Sequence, residues 1–172
     1  MIKTTIHRSS NAVRFKNVES DRLWMVIGGT AAWSNETAPP SPVMGADAVN
    51  TPVGAKKCVL RWVVRDPAGT IQIVGPSGSE YWREVMTEAD VYAEGCRWVM
   101  VQAEIVGDEL PTTTFREIGL FQQLTPAAGH EADEALLPAN VDDYGKLQAL
   151  EYRQAVNRDS NSSYKVINIF EF

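Results

Sequence analysis

Few residues in this 172-residue chain have the types and spacing that chemistry requires. The two histidines, His7 and His130, stand in an expected near-terminal strand and a polar loop, with no Cys, His or carboxylate at ligand spacing, so no metal site is expected. Gly75-Pro76-Ser77-Gly78-Ser79 has a serine between glycines, but the second glycine comes one place too early for a nucleophile elbow, and no phosphate-loop lysine follows. It reads as a turn. The acids Glu131, Asp133 and Glu134, and the pair Asp142-Asp143, have the chemistry of a glycosidase acid and base or of a calcium loop. In a proline-broken polar stretch they read instead as solvated carboxylates. Cys58 and Cys96 lie in apolar strand-like contexts with no CxxC pair, and read as buried small hydrophobes. The chain is therefore expected to have no catalytic residue, no cofactor and no metal, and to be no enzyme.

The residues left to work are those suited to gripping. Leu23 to Ile27 is a continuous apolar run of strand length, and Gly28-Gly29 permits the positive φ of an abrupt exit. A loop then carries Trp33, Asn35 and Glu36, followed by Pro39, Pro40 and Pro42, whose rings fix φ and push their predecessors toward extended geometry. Such a segment loses little entropy on docking. Nothing alternates convincingly from Gly28 to about Lys56, which makes a loop longer than the ~12–15 residues compact domains usually carry. Two readings of Trp33 stand: an anchor in a partner, or a lid folded onto its own domain. Arg116 and Glu117 form either a buried or interface ion pair, or the solvent face of a strand. Trp24, Trp62 and Trp98 read as core, with a sugar-binding platform as the rival for the tryptophans.

The aliphatic strand closing on Ile27-Gly28, then Trp33, Asn35-Glu36 and Pro39-Pro40-Ser41-Pro42, resembles structural proteins of tailed-phage baseplates, particularly wedge-type subunits of contractile tails. There the stretch commonly reads Y-x-F-I-G-x-x-x-x-W-x-D-E-x-x-P-P-x-P; here Trp24 stands near the usual Tyr and Asn35 replaces the commoner acid. Phe115-Arg116-Glu117-Ile118-Gly119-Leu120-Phe121 is similar to the R-E-I-G-L-F strand of phage tail and fibre-attachment proteins. Gly145-Lys146-Leu147 onward, closing on Val166 to Phe172, resembles the terminal strand pair of the same baseplate proteins. The resemblance implies a structural role in the virion tail.

Composition agrees with a protein-binding role. A net charge of −6 and a single Lys56-Lys57 pair would repel phosphates, so no nucleic-acid partner is expected. No stretch approaches the ~18 apolar residues of a membrane span and Met1–His7 lacks a secretory apolar region, so no membrane partner is expected, and assembly in the host cytoplasm is.

Mostly strands follow from a pass along the chain. A short helix over 9–20 is capped by Ser9 or Ser10. Strands at 57–65 and 70–74 form a hairpin across Asp66-Pro67-Ala68-Gly69, and strand character returns at 81–86. The runs 97–106 and 112–121 suggest a second hairpin, and 122–143 is a polar excursion. Residues 145–156 have helical propensity, but the resemblance favours a strand. The last residues are apolar on both faces, which predicts a strand that is central or covered by a partner. The expected fold is mainly β, an antiparallel sandwich or meander with long loops and at most short helices. Residues 1–172 are expected to form a single β-rich domain with protruding loops at about 30–54 and 122–144. The expected function is a structural subunit of a phage tail baseplate within a symmetric hetero-oligomer, its interface including Trp33, Asn35, Glu36, Pro39, Pro40, Pro42, Arg116, Glu117, Phe170 and Phe172. The alternative is a receptor- or glycan-binding module at the tail tip.

Overall fold

The computed structural model describes residues 4–75 and 78–172; Pro76 and Ser77 of the expected 75–79 turn lie outside them. In chain order the elements are α1 (Thr5–Glu19), β1 (Leu23–Gly28), β2 (Gly54–Lys57), β3 (Val59–Arg65), β4 (Ile71–Gly75), β5 (Gly78–Val85), α2 (Glu88–Ala93), β6 (Trp98–Val106), β7 (Thr114–Gln122), β8 (Thr125–Pro126), β9 (Ala135–Leu136), a 3-10 turn at Pro138–Asn140, β10 (Val141–Asp143), β11 (Lys146–Asn157) and β12 (Ser163–Glu171). Among the described residues strands make up 45% and helices 14%, a mainly β protein. One sheet has the order β11-β7-β1-β2-β9, a second β12-β6-β3-β5-β4, and β10 pairs with β8. Every pairing described is antiparallel.

The chain divides into two compact units, one of Met1–Ser20, Val59–Gln102 and Ile167–Phe172, the other of Asp21–Cys58 and Ala103–Val166. In the first unit, neighbouring residues of β3 face opposite sides of the sheet, as a pleat requires. Trp62 faces α1, donating its indole N–H to the Ala12 carbonyl at 3.2 Å beneath the Lys16 ammonium, 3.9 Å from the ring centre. Val63 belongs to a second cluster with Trp82 and Met100, against which Ile71, Ile73, Trp98, Ile167 and Ile169 pack. Cys96, fully buried, points its thiol at the Val63 carbonyl, 3.2 Å away. In the second unit the core is Trp24, Val26, Val49, Ala55, Phe121, Leu124 and Leu136, with β1 buried along its whole length between β2 and β7.

Several local expectations are corrected. The helix starts at Thr5, not Ser9, because Thr4 accepts the His7 N–H at its N-cap; His7 is therefore helical, not in a strand. The Asp66–Gly69 turn forms, with Gly69 N–H on the Asp66 carbonyl at 2.8 Å. Yet β3 pairs with β5 and β6, and β4 pairs with β5, so no β3–β4 hairpin exists. Likewise β6 and β7 lie in different sheets. Their connection is no tight turn: Leu110 is buried in it, and the Arg158 guanidinium binds the carbonyls of Gly107, Leu110 and Pro111 at 2.7, 3.0 and 3.1 Å. The terminal strand β12 is an edge strand, not a central one.

Candidate functional site

Strand β1 pairs with β7 from Leu23↔Gln122 to Gly28↔Glu117, which brings the Arg116-Glu117 dipeptide beside the point where the long loop leaves the sheet. The exit is tight. Gly29 turns at φ +68 and donates its N–H to the Asn50 carbonyl at 2.6 Å, while the Val53 N–H returns to the Ile27 carbonyl at 2.8 Å. A Cβ on Gly28 would meet Val49 and the Asn50 carbonyl at 2.5 and 2.6 Å, and one on Gly29 would collide with the Glu117 side chain. Both glycines are needed for this approach, and only Gly29 for its dihedral.

Arg116 and Glu117 are adjacent in β7, so their side chains leave by opposite faces, and each clamps a different limb of the loop. Glu117, 2% exposed, accepts the Asn50 backbone N–H and side-chain amide, both at 2.8 Å, and so holds the returning limb. Arg116, also buried, donates its Nε to both Glu36 carboxylate oxygens at 2.8 and 3.1 Å and its Nη1 to the Thr30 carbonyl at 3.0 Å, and so holds the outgoing limb. Of the two readings of this pair, neither residue faces solvent; Arg116 pairs with Glu36 rather than with its neighbour.

Glu36 also accepts the Trp33 backbone N–H at 3.1 Å. The Trp33 indole folds back on its own unit, donating to the Arg153 carbonyl at 2.9 Å with its ring 5.0 Å from that of Tyr152. Asn35 closes a local turn, its Oδ1 accepting the Thr37 N–H at 3.1 Å and hydroxyl at 2.8 Å. Pro39 is half-buried, whereas Pro40 and Pro42 are exposed. Beyond them the tip presents Val43 at 72% and Met44 at 100% exposure, with Gly45 turning the chain at φ +96.

The structure thus gathers Trp33, Glu36, Arg116 and Glu117 at the loop base and leaves the prolines on the outward limb. Phe170 and Phe172 are not part of this cluster; they pack on Phe15, ring centres 5.7 and 5.1 Å apart. Sequence reasoning missed Asn50, whose role depends on a chain reversal with no local signal, and Met44, hidden in a run of otherwise small residues.

The chemistry open to this arrangement is holding. Each charged group at the base is consumed by a partner in the fold. Elsewhere, His130 Nδ1 stands 2.7 Å from the Asp133 carboxylate three residues on, a carboxylate that the reading of His130 as lacking one at ligand spacing passes over. Among the described residues no group of three or more His, Cys, Asp or Glu could hold a metal ion. Glu131 closes a turn, its carboxyl held below the usual range by its own backbone N–H and that of Gly129. Desolvation pushes the Cys58 thiol up to about 12, as an inert buried cysteine requires.

Comparison with known proteins places the chain. The model of the family described as "Baseplate wedge 3 tail fiber network component" matches residues 1–172. The chain is 36% identical over 162 residues to "Virion protein 3" of Enterococcus phage phiEF24C, covering 93% of this chain and 88% of that protein. Matched from its first residue to its last, this β-rich chain with its clamped loop belongs to the family of baseplate wedge 3 tail fiber network components, structural proteins of the phage virion tail.

Proposed function

We propose that this chain is a non-enzymatic wedge subunit that ties neighbouring tail proteins together through the tip of the 30–54 loop, with the 122–144 segment and the C-terminal strand as further attachments. The supporting observation is the contrast within the loop: Arg116, Glu117 and Trp33 fix its base, while Val43 and Met44 stand exposed at its end. A surface that is ordered before binding loses little freedom on docking. Trp33 then acts as the brace that aims the tip, and Pro39, Pro40 and Pro42 as its stiff rim, rather than as the deepest anchors. Several modest contacts repeated around a symmetric hetero-oligomer, put together in the host cytoplasm, sum to a durable assembly.

The test is Met44→Asp. The isolated protein is expected to unfold within about 0.5 kcal/mol of the parent, because a fully exposed side chain carries little stability. Complementing a phage that lacks the parent gene, the variant should fail to enter tails. Normal incorporation and infectivity would refute the role given to the tip. Binding of the isolated chain to host surface polysaccharide, unaffected by the substitution, would favour a receptor-binding module instead.

A further inference from the structure

Proline narrows the backbone along the outgoing limb of the 30–54 loop. Pro39, Pro40 and Pro42 hold φ at about −65°, and Ala38, Pro39 and Ser41, each preceding a proline, are pushed to extended ψ. Residues 39–43 accordingly run without turn, bend or strand pairing, between the turn that Asn35 closes and the one at Met44-Gly45. Those are the features of a polyproline II helix, whose three residues per turn put Pro39 and Pro42 on one edge and Pro40 and Val43 on another. Pro39 is half-buried, whereas Pro40 and Val43 are both exposed, two apolar knobs about 9 Å apart along the axis. Of the four residues 39–42 only Ser41 has a backbone N–H, and among the described residues no hydrogen bond engages a backbone group of these four. The limb thus offers carbonyl acceptors and rings, with too few donors to pair as a strand. Asp47 is the one ionised residue between Thr37 and Val49, so a charged groove would find little to hold. Trp and Tyr match what remains: their flat faces take proline, and the indole N–H and phenol O–H donate to carbonyls.

We propose that a groove lined by Trp and Tyr on a neighbouring tail protein grips residues 39–43 as a polyproline II helix, with Pro40 and Val43 seated between its rings and the limb's carbonyls accepting from its indole and phenol groups. The inference rests on the wedge-subunit reading above and names the chemistry of the partner that the outgoing limb meets. The limb is set by its own rings and held at its root by Arg116 on Glu36 and by the Gln154 amide on the Thr37 carbonyl at 3.3 Å, so little freedom is lost on binding.

The experiment supplies parent and variant chains in equal amounts to cells infected with a phage that lacks the parent gene, and measures their ratio in purified tails by mass spectrometry. Pro40 and Ser41 are both exposed, so neither substitution replaces a packed group. Pro40→Gly loosens the limb and deletes a ring, and is expected to be outcompeted by at least about threefold. Ser41→Pro stiffens the limb and removes its last N–H, and is expected to enter at least as well as the parent. Photo-crosslinks from Ser41→p-benzoylphenylalanine in the same particles are expected to reach a stretch of another tail protein that contains Trp or Tyr. Exclusion of Ser41→Pro would mean strand pairing through that N–H and overturns the inference. Equal entry of Pro40→Gly, links to a second copy of this chain, or links to a stretch free of Trp and Tyr overturn it too. In each of these cases a Met44→Asp chain that is still shut out of tails leaves the wedge reading standing, whereas its normal entry removes the ground of both.

Discussion

At the level of single residues the loop depends on two neighbours in β7. Glu117 is nearly sealed from solvent and exists to satisfy Asn50. Replacing it by Ala removes both bonds to Asn50 and the wall on which Gly29 rests, which should cost about 1.5–3 kcal/mol in urea unfolding. Asn50→Ala would remove only one of the two bonds, since the backbone N–H remains, and should cost less. Cys58 offers an independent check. A thiol pushed up to about 12 by burial is almost wholly protonated at pH 8, so a thiol reagent should leave Cys58 untouched in the native protein and modify it in denaturant. Rapid native labelling would contradict the burial.

Among the elements, β1 is the most legible in the sequence, since a five-residue apolar run closed by paired glycines has few alternatives to a buried strand. The brace at Trp33 can be tested at this scale. Trp33→Ala should leave the β1–β7 pairing intact while the amides of residues 30–50 exchange faster, because the ring holds the loop to β11 and not to the sheet core. Equal protection in both proteins would show that the Arg116 clamp suffices alone. Other elements were less legible. Residues 146–157 favour a helix by propensity, and form strand β11 because β7 offers a pairing edge that propensity does not know about. Helix α2 is absent from the sequence expectation although Thr87-Glu88-Ala89-Asp90 carries a cap signal, Thr87 accepting the Asp90 N–H at 3.2 Å. The hairpins β3–β4 and β6–β7 were inferred from turn residues and nearness in sequence; turn chemistry predicts a reversal and does not name the strand that follows as the partner. For the same reason Arg116 could be singled out by the R-E-I-G-L-F resemblance, while its partner Glu36, eighty residues away, could not be paired with it.

For the molecule as a whole, acid is the informative perturbation. Lys56, buried in β2, donates to Glu109 at 2.8 Å. Burial alone would raise the Glu109 pKa, but the Lys56 ammonium and the Val106 N–H outweigh it, so the carboxyl sits below its ordinary value. Asp66 is lowered as well, first by the Ala68 N–H and then by Arg83. A group whose folded pKa is depressed adds stability above its unfolded value and loses it as pH falls through the folded one. The melting temperature should therefore hold from pH 7 to about 5 and drop as pH falls through and below the ordinary carboxylate range of about 4. Glu109→Gln should be less stable at neutral pH and show a shallower drop. An unchanged slope would mean that the Lys56–Glu109 pair is too well solvated to matter.

Because strand side chains alternate, sliding β7 by one position against β1 would set Glu117 and Ile118, or Phe115 and Arg116, where Arg116 and Glu117 are needed, leaving both limbs ungrasped. The long loop can take its shape only on a correctly aligned scaffold. In a misaligned chain the same residues would hang as a slack cord.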